Sequence, residues 1–263
     1  MSFLDHLEEL RWHIMRSVVA VMLFAVVAFI FNDIIFDYIL LAPKNPDFIT
    51  NRLFCQFGNW IGSESLCINS KPFQIINITM AGQFSTHISV SLIAGVIIAF
   101  PYIFWQFWSF LEPALYEKER NQGRKAVFAS SILFLMGVAF GYYIIVPLSV
   151  HFLGGYSISA EISNQINLTS YISTINSVVI ASGAIFELPV IMYFLSKIGL
   201  VTPAFLRKYR KHSVVIILIV AAVITPPDVF SQILVTIPLQ ILYEVSIIIS
   251  ARVEKKRNAE NLA

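Results

Sequence analysis

Charge is scarce in this chain. Only 13% of its 263 residues are Asp, Glu, Lys or Arg, against 57% hydrophobic and 14% aromatic, roughly half the charged share of a soluble domain. A water-soluble globular fold is excluded. The chain reads as an all-α integral membrane protein, of a length that suits one bundle. Catalytic motifs are missing as well: no HExxH, no Walker loop and no GxSG is present. Ser182-Gly183 follows Ile180-Ala181, so the first glycine of an intramembrane serine protease motif is absent. The histidines, His6, His13, His87, His151 and His212, show no ligand spacing. Neither enzyme activity nor a metal or cofactor is expected. The start, Met1-Ser2-Phe3-Leu4-Asp5-His6, lacks the basic n-region of a secretory signal and the Arg-rich, Ser-rich character of a transit peptide. A bacterial source is the expectation.

Long apolar runs are what the chain has. A helix needs about 20 apolar residues to cross a hydrocarbon core about 30 Å thick. Six candidates fit, at Ile14–Phe36, Met80–Phe107, Ala126–Val150, Ile172–Ser196, Val214–Thr225 and Val229–Ile249. The fifth is conspicuously short, and the sixth follows it in a tight hairpin after Pro226-Pro227-Asp228. Pro101, Pro147, Pro189 and Pro238 each fall inside a span and are expected to kink helices around a concave face.

Cations are scarce in alternate gaps, with only Lys44, Arg52 and Lys71 spread along the loop after span one. Fifteen of the eighteen Lys and Arg residues flank the spans on one side, at 11–16, 118–125, 197–211 and 252–257. The gaps after spans three and five have none. The positive-inside rule therefore predicts both termini in the cytoplasm. The expected layout is one six-helix membrane domain over 1–263. It comprises an amphipathic surface helix at 1–13, an outer loop at 41–79, inner loops at 111–125 and 197–212, and an inner tail at 252–263. The outer loop is long enough to hold structure of its own. It contains both cysteines, Cys55 and Cys67. On an oxidising side they are free to pair, and two packed thiols are the equal alternative.

Polar residues within this setting carry the functional reading. Glu187 lies near the middle of span four and Glu244 toward the inner end of span six. An intramembrane carboxylate marks a functional or water-lined position by default. Near the N-terminus, Phe3, Leu7, Leu10 and Ile14 form one helical stripe with Glu9 off it. The first inner loop reads Phe110-Leu111-Glu112-Pro113-Ala114-Leu115-Tyr116, then Glu119-Arg120.

Four blocks resemble one family. The loop Phe110–Tyr116 with Glu119-Arg120, the start His6-Leu7-Glu8-Glu9-Leu10-Arg11, Phe186-Glu187-Leu188-Pro189, and Thr225-Pro226-Pro227-Asp228-Val229-Phe230-Ser231-Gln232 are similar to the TatC family of the twin-arginine translocase. The resemblance covers essentially the whole chain, apart from the Cys55–Cys67 segment. It implies a core receptor in the bacterial inner membrane, driven by the proton motive force. Such a receptor binds the twin-arginine signal peptides of folded cargo. Glu9 and Glu119 would be the recognition carboxylates, with Arg11, Pro101, Phe110, Pro113, Leu115, Tyr116 and Arg120 around them. Thr225, Asp228 and Gln232 would dock the single-span partners TatA and TatB. Self-association and contact with lipid are implied; a nucleic-acid partner is not. A proton-coupled small-solute transporter built on Glu187 is the competing class, but no pair of matching halves supports it.

Overall fold

The structure is a computed structural model describing residues 3–62, 67–69, 73–111, 123–159, 161, 164–225 and 229–261. It is dominated by helices. Helix α1 (Phe3–Ile30) continues, after a short turn, toward a π-helical stretch at Ile34–Leu40. Helix α2 (Ile49–Ile61) lies in the expected outer loop. Further along come α3 (Gly82–Leu111), α4 (Gly123–Phe140), α5 (Val146–Gly155), α6 (Leu168–Phe186), α7 (Leu188–Lys197), α8 (Pro203–Lys208), α9 (Arg210–Ile224) and α10 (Val229–Asn261). Two short strands, β1 (Ile75–Ile76) and β2 (Ile166–Asn167), pair in parallel with Ile75 opposite Ile166.

Among the described residues, five segments are long and apolar enough to cross a membrane: Leu7–Ile30, Gly82–Leu111, Lys125–Gly155, Leu168–Lys197 and Ser231–Arg257. Helix α9 falls short of that standard. Its 15 residues rise about 22 Å, so the expectation of a short fifth helix holds. The short sixth helix does not: α10 has 33 residues. Its tail, Arg252 to Asn261, contains no Pro or Gly, and nothing stops the helix at the end of the apolar run. For the same reason the expected surface helix at 1–13 is not separate. No breaker lies between Phe3 and Ile30, and α1 is one continuous helix of 28 residues.

The prolines act in two ways. Helices α3 and α10 run through Pro101 and Pro238. Pro147 instead opens α5 after a π-helical turn at Gly141–Ile145, and Pro189 opens α7 after a break at Glu187. Proline has no N–H to donate. At the break the Glu187 N–H turns back to Ala184 O at 3.2 Å instead.

Close helix approach depends on glycine at two junctions. A Cβ on Gly95 of α3 would sit 2.6 Å from Val21 O and 2.8 Å from Ala25 N of α1. A Cβ on Gly137 of α4 would sit 2.6 Å from Ser182 O of α6. Gly137 and Gly141 form a small-xxx-small pair, the spacing that lets membrane helices touch backbone to backbone. At the other side of the bundle, Ser196 Oγ of α7 donates to Ser250 Oγ of α10 at 2.7 Å, both buried. Tyr243 OH donates to Leu206 O at 2.9 Å.

At the end that carries α2, a polar network builds a cap. Cys55 and Cys67 are joined in a disulfide. Buried Asn69 adopts the left-handed region at φ 53°, which asparagine tolerates better than most residues. Its Nδ2 lies 3.3 Å from Pro43 O, 3.1 Å from Pro147 O and 3.3 Å from Asn51 Oδ1. Asn51, 1% exposed, donates to Pro43 O and Asn45 O. The hydroxyl of Thr50 donates to Tyr143 O, so α2 is fixed to the α4–α5 junction.

Candidate functional site

The first candidate lies at the opposite end, where α1 begins and α3 ends. His13 Nδ1 and Gln106 Oε1 are 2.6 Å apart, and the His13 ring meets Phe110 edge-on at 6.3 Å. Glu9 is one turn before His13 on the same side of α1. It is half-buried. Phe110 is one turn beyond Gln106. Glu9 thus stands at the level where α3 gives way to residues 112–122. Pro113, Leu115, Tyr116, Glu119 and Arg120, all expected here, lie outside the described residues.

Two expected members stand apart from Glu9. Arg11 is about 200° around the helix from it, exposed, with its guanidinium 5.9 Å from the Trp12 ring centre. Pro101 is nine residues before Phe110, about 14 Å deeper along α3. Sequence reasoning missed His13 and Gln106, the pair that ties the two helices together. The signal was available: an imidazole just before the first span and a carboxamide near the end of the second, at the same end of adjacent spans.

The second candidate is Glu187. It is 8% exposed and sits in the α6–α7 break. Its Oε2 accepts from Ser130 Oγ of α4 at 2.7 Å. Its Oε1 is buried with no hydrogen-bond partner among the described residues. In the α2-side half of the bundle, a groove of about 540 Å³ separates α3 from α6. Ser85, Thr86 and Ser89 line one wall, Thr169, Ser173 and Asn176 the other. Thr169 and Glu187 are 18 residues apart, about five turns, which places them on one side of the helical run. Glu244, the other intramembrane carboxylate, is bonded instead: Arg210 Nη2 donates to its Oε2 at 2.7 Å across α9 and α10.

The α9–α10 hairpin holds the expected docking residues. Thr225 is 5% exposed and its hydroxyl donates to Ala221 O at 2.8 Å. Gln232 Nε2 donates to Leu218 O at 3.1 Å. Asp228 lies outside the described residues. The hairpin's outer surface is apolar and exposed, through Val215, Ile219 and Val223 on α9 and Ile233, Ile237 and Ile241 on α10.

Known proteins match this chain nearly end to end. The sequence model of the family "Sec-independent protein translocase protein (TatC)" matches residues 5–238. A Sec-independent protein translocase protein TatC from Blattabacterium sp. subsp. Periplaneta americana is 42% identical over 259 residues, 98% of this chain and 97% of that protein. The TatC of Desulforapulum autotrophicum is 36% identical, covering 98% of this chain and 87% of the relative. A crystal structure of the twin-arginine translocase receptor TatC superimposes with a TM-score of 0.71 at 32% identity, covering 93% of this chain and 99% of that one. A second crystal structure of the same receptor gives 0.68 at 33% identity, over 93% of this chain and 97% of the other. The chain is a multi-pass membrane protein that belongs to the TatC family of Sec-independent protein translocase proteins.

Proposed function

We propose that this chain is the receptor of a bacterial twin-arginine translocase, reading the paired arginines of signal peptides on folded cargo between Glu9 and Glu119. The observation that carries this reading is the position of Glu9. It is half-buried beside the His13–Gln106–Phe110 contact, where the segment bearing Glu119 leaves α3. A guanidinium is a planar fork that two carboxylate oxygens accept together. Lysine, a point charge, cannot reproduce that geometry. Two carboxylates on separate segments account for a demand for two arginines. The Lys and Arg around them repel loosely basic peptides and so sharpen the choice.

The proposal includes the topology. Helix α9 is the fifth of six crossings, both termini face the cytoplasm, and the membrane is the bacterial inner one. The cation distribution supports this. The α9–α10 hairpin, with its exposed apolar surface and with Thr225 and Gln232 at its turn, docks the single-span partners TatA and TatB.

A titration tests the reading. Purified protein in detergent is mixed with a twin-arginine signal peptide and with its twin-lysine counterpart. Strong preference for arginine, lost in both Glu9→Gln and Glu119→Gln, is the expected result. Equal, weak binding of both peptides that neither variant alters would reduce the glutamates to solvated surface. Measured flux of a small solute through the protein alone would then favour a transporter centred on Glu187.

A further inference from the structure

We propose that α2 is an in-plane anchor whose exposed apolar side is seated among the phospholipids of the outer leaflet. The proposal goes beyond the receptor reading: its choice of leaflet rests on the orientation proposed above, and the rest only on the chain being a membrane-spanning bundle.

Helix α2 divides into three arcs at 100° per residue. Asn51, Phe54, Cys55 and Gly58 fall within one arc of about 100°; all are buried or half-buried. This side faces the bundle. Arg52, Gln56 and Asn59 fall within a second arc and are exposed. The third arc holds Ile49, Leu53, Phe57, Trp60 and Ile61, all exposed, Leu53 at 59% and Trp60 at 82%, together with buried Thr50, whose hydroxyl ties the start of the helix to the bundle. A helix in water has no reason to carry a separate apolar arc beside its polar one. A helix at a bilayer boundary does: one side meets protein, one meets headgroups and water, one meets acyl chains.

Depth identifies the occupant. Thr50 at the start of α2 is bonded to Tyr143 O, and the Phe48 ring stacks on the Tyr143 ring at 5.8 Å. Tyr143 is 18 residues beyond Lys125, about 27 Å along the crossing, close to the far boundary of a core about 30 Å thick. The apolar arc therefore meets acyl chains rather than bulk water. It is continuous with the lipid-facing surface of the spans. A groove of about 500 Å³ runs between Ile49, Leu53 and Phe54 of α2 and Ile144 and Leu234 of the bundle. That groove is apolar and suits an acyl chain. Arg52, the helix's one charge, stands on the adjoining arc where lipid phosphates would lie. With α2 in the membrane plane, Trp60 takes the interfacial position that tryptophan favours.

The test uses the full chain in phosphatidylethanolamine–phosphatidylglycerol vesicles. Subtracting the emission of Trp60→Phe from that of the native protein isolates the Trp60 signal. With lipids brominated near the headgroup end of the acyl chain, most of that signal should be lost; aqueous iodide should leave it nearly intact. A tryptophan moved to the polar arc (Asn59→Trp on the Trp60→Phe background) should show the reverse sensitivity. Iodide quenching of Trp60 without lipid quenching would overturn the anchor. So would protection from both quenchers that disappears on diluting the protein in lipid, since a second copy would then cover the face. Twin-arginine peptide binding, measured on the same vesicles, reports on the receptor reading independently of either outcome.

Discussion

At the residue scale, the buried polar atoms differ in what they would lose. Ser130 donates to the Glu187 carboxyl across 2.7 Å. Ser182 is also buried, but its hydroxyl has no hydrogen-bond partner among the described residues. Removing a partner from a buried polar group costs about 1–3 kcal/mol, whereas removing an unsatisfied hydroxyl costs little. Ser130→Ala should therefore lower the unfolding midpoint in detergent. Ser182→Ala should leave it unchanged or raise it. Equal effects of the two would mean that Ser130 does not hold Glu187. Gly95 gives a steric counterpart. With Val21 O 2.6 Å from its would-be Cβ, Gly95→Leu must push α1 away from α3, at about 1–3 kcal/mol or more. Loss of the His13–Gln106 contact should follow, visible as weakened peptide binding.

At the scale of elements, the cap and the short helix are the informative pieces. The Cys55–Cys67 bridge closes a short loop, with a sequence separation of 12. On the loop-entropy model such a closure contributes about 3 kcal/mol. Replacing both cysteines with serine should expose the segment around α2 to protease. It should leave twin-arginine peptide binding intact, because the cap and Glu9 are at opposite ends of the spans. If binding falls in step with cap cleavage, the two ends are coupled. Helix α9 carries a different consequence. On the six-span topology proposed above, α9 is a crossing about 22 Å long, which must thin the bilayer, recruit its flanks or pair with a partner. Adding one turn to α9 while keeping Thr225 and Gln232 should impair export of a folded reporter. Unimpaired export would remove bilayer thinning from the account.

At the scale of the whole molecule, the proposed topology predicts which side each end can be reached from. Protease added to intact spheroplasts should cut near α2, most readily in the Ser–Ser variant, and spare the tail beyond Arg257. In inverted vesicles the tail should be cut first. Cleavage of the tail in spheroplasts would reverse the orientation and remove Glu9 from the cytoplasm.

Much of this was legible without coordinates. The spans were visible because a bilayer demands long apolar runs whatever the packing. The short α9 and the hairpin after it were equally plain, as was Glu187, a charge-bearing residue in an apolar run. The unbroken run of α1 from Phe3 and of α10 to Asn261 was legible too, in the absence of breakers, which a hydropathy boundary overrides too readily. Tertiary structure decided the remainder. Periodicity could not pair His13 with Gln106 or Ser130 with Glu187, because each pair joins different helices whose rotation is set by glycine contacts at Gly95 and Gly137. The cap was the least readable part. Its order comes from Asn51, Asn69 and a disulfide bringing separate loop segments together, and polar residues in a loop give no sign of which partners they will meet.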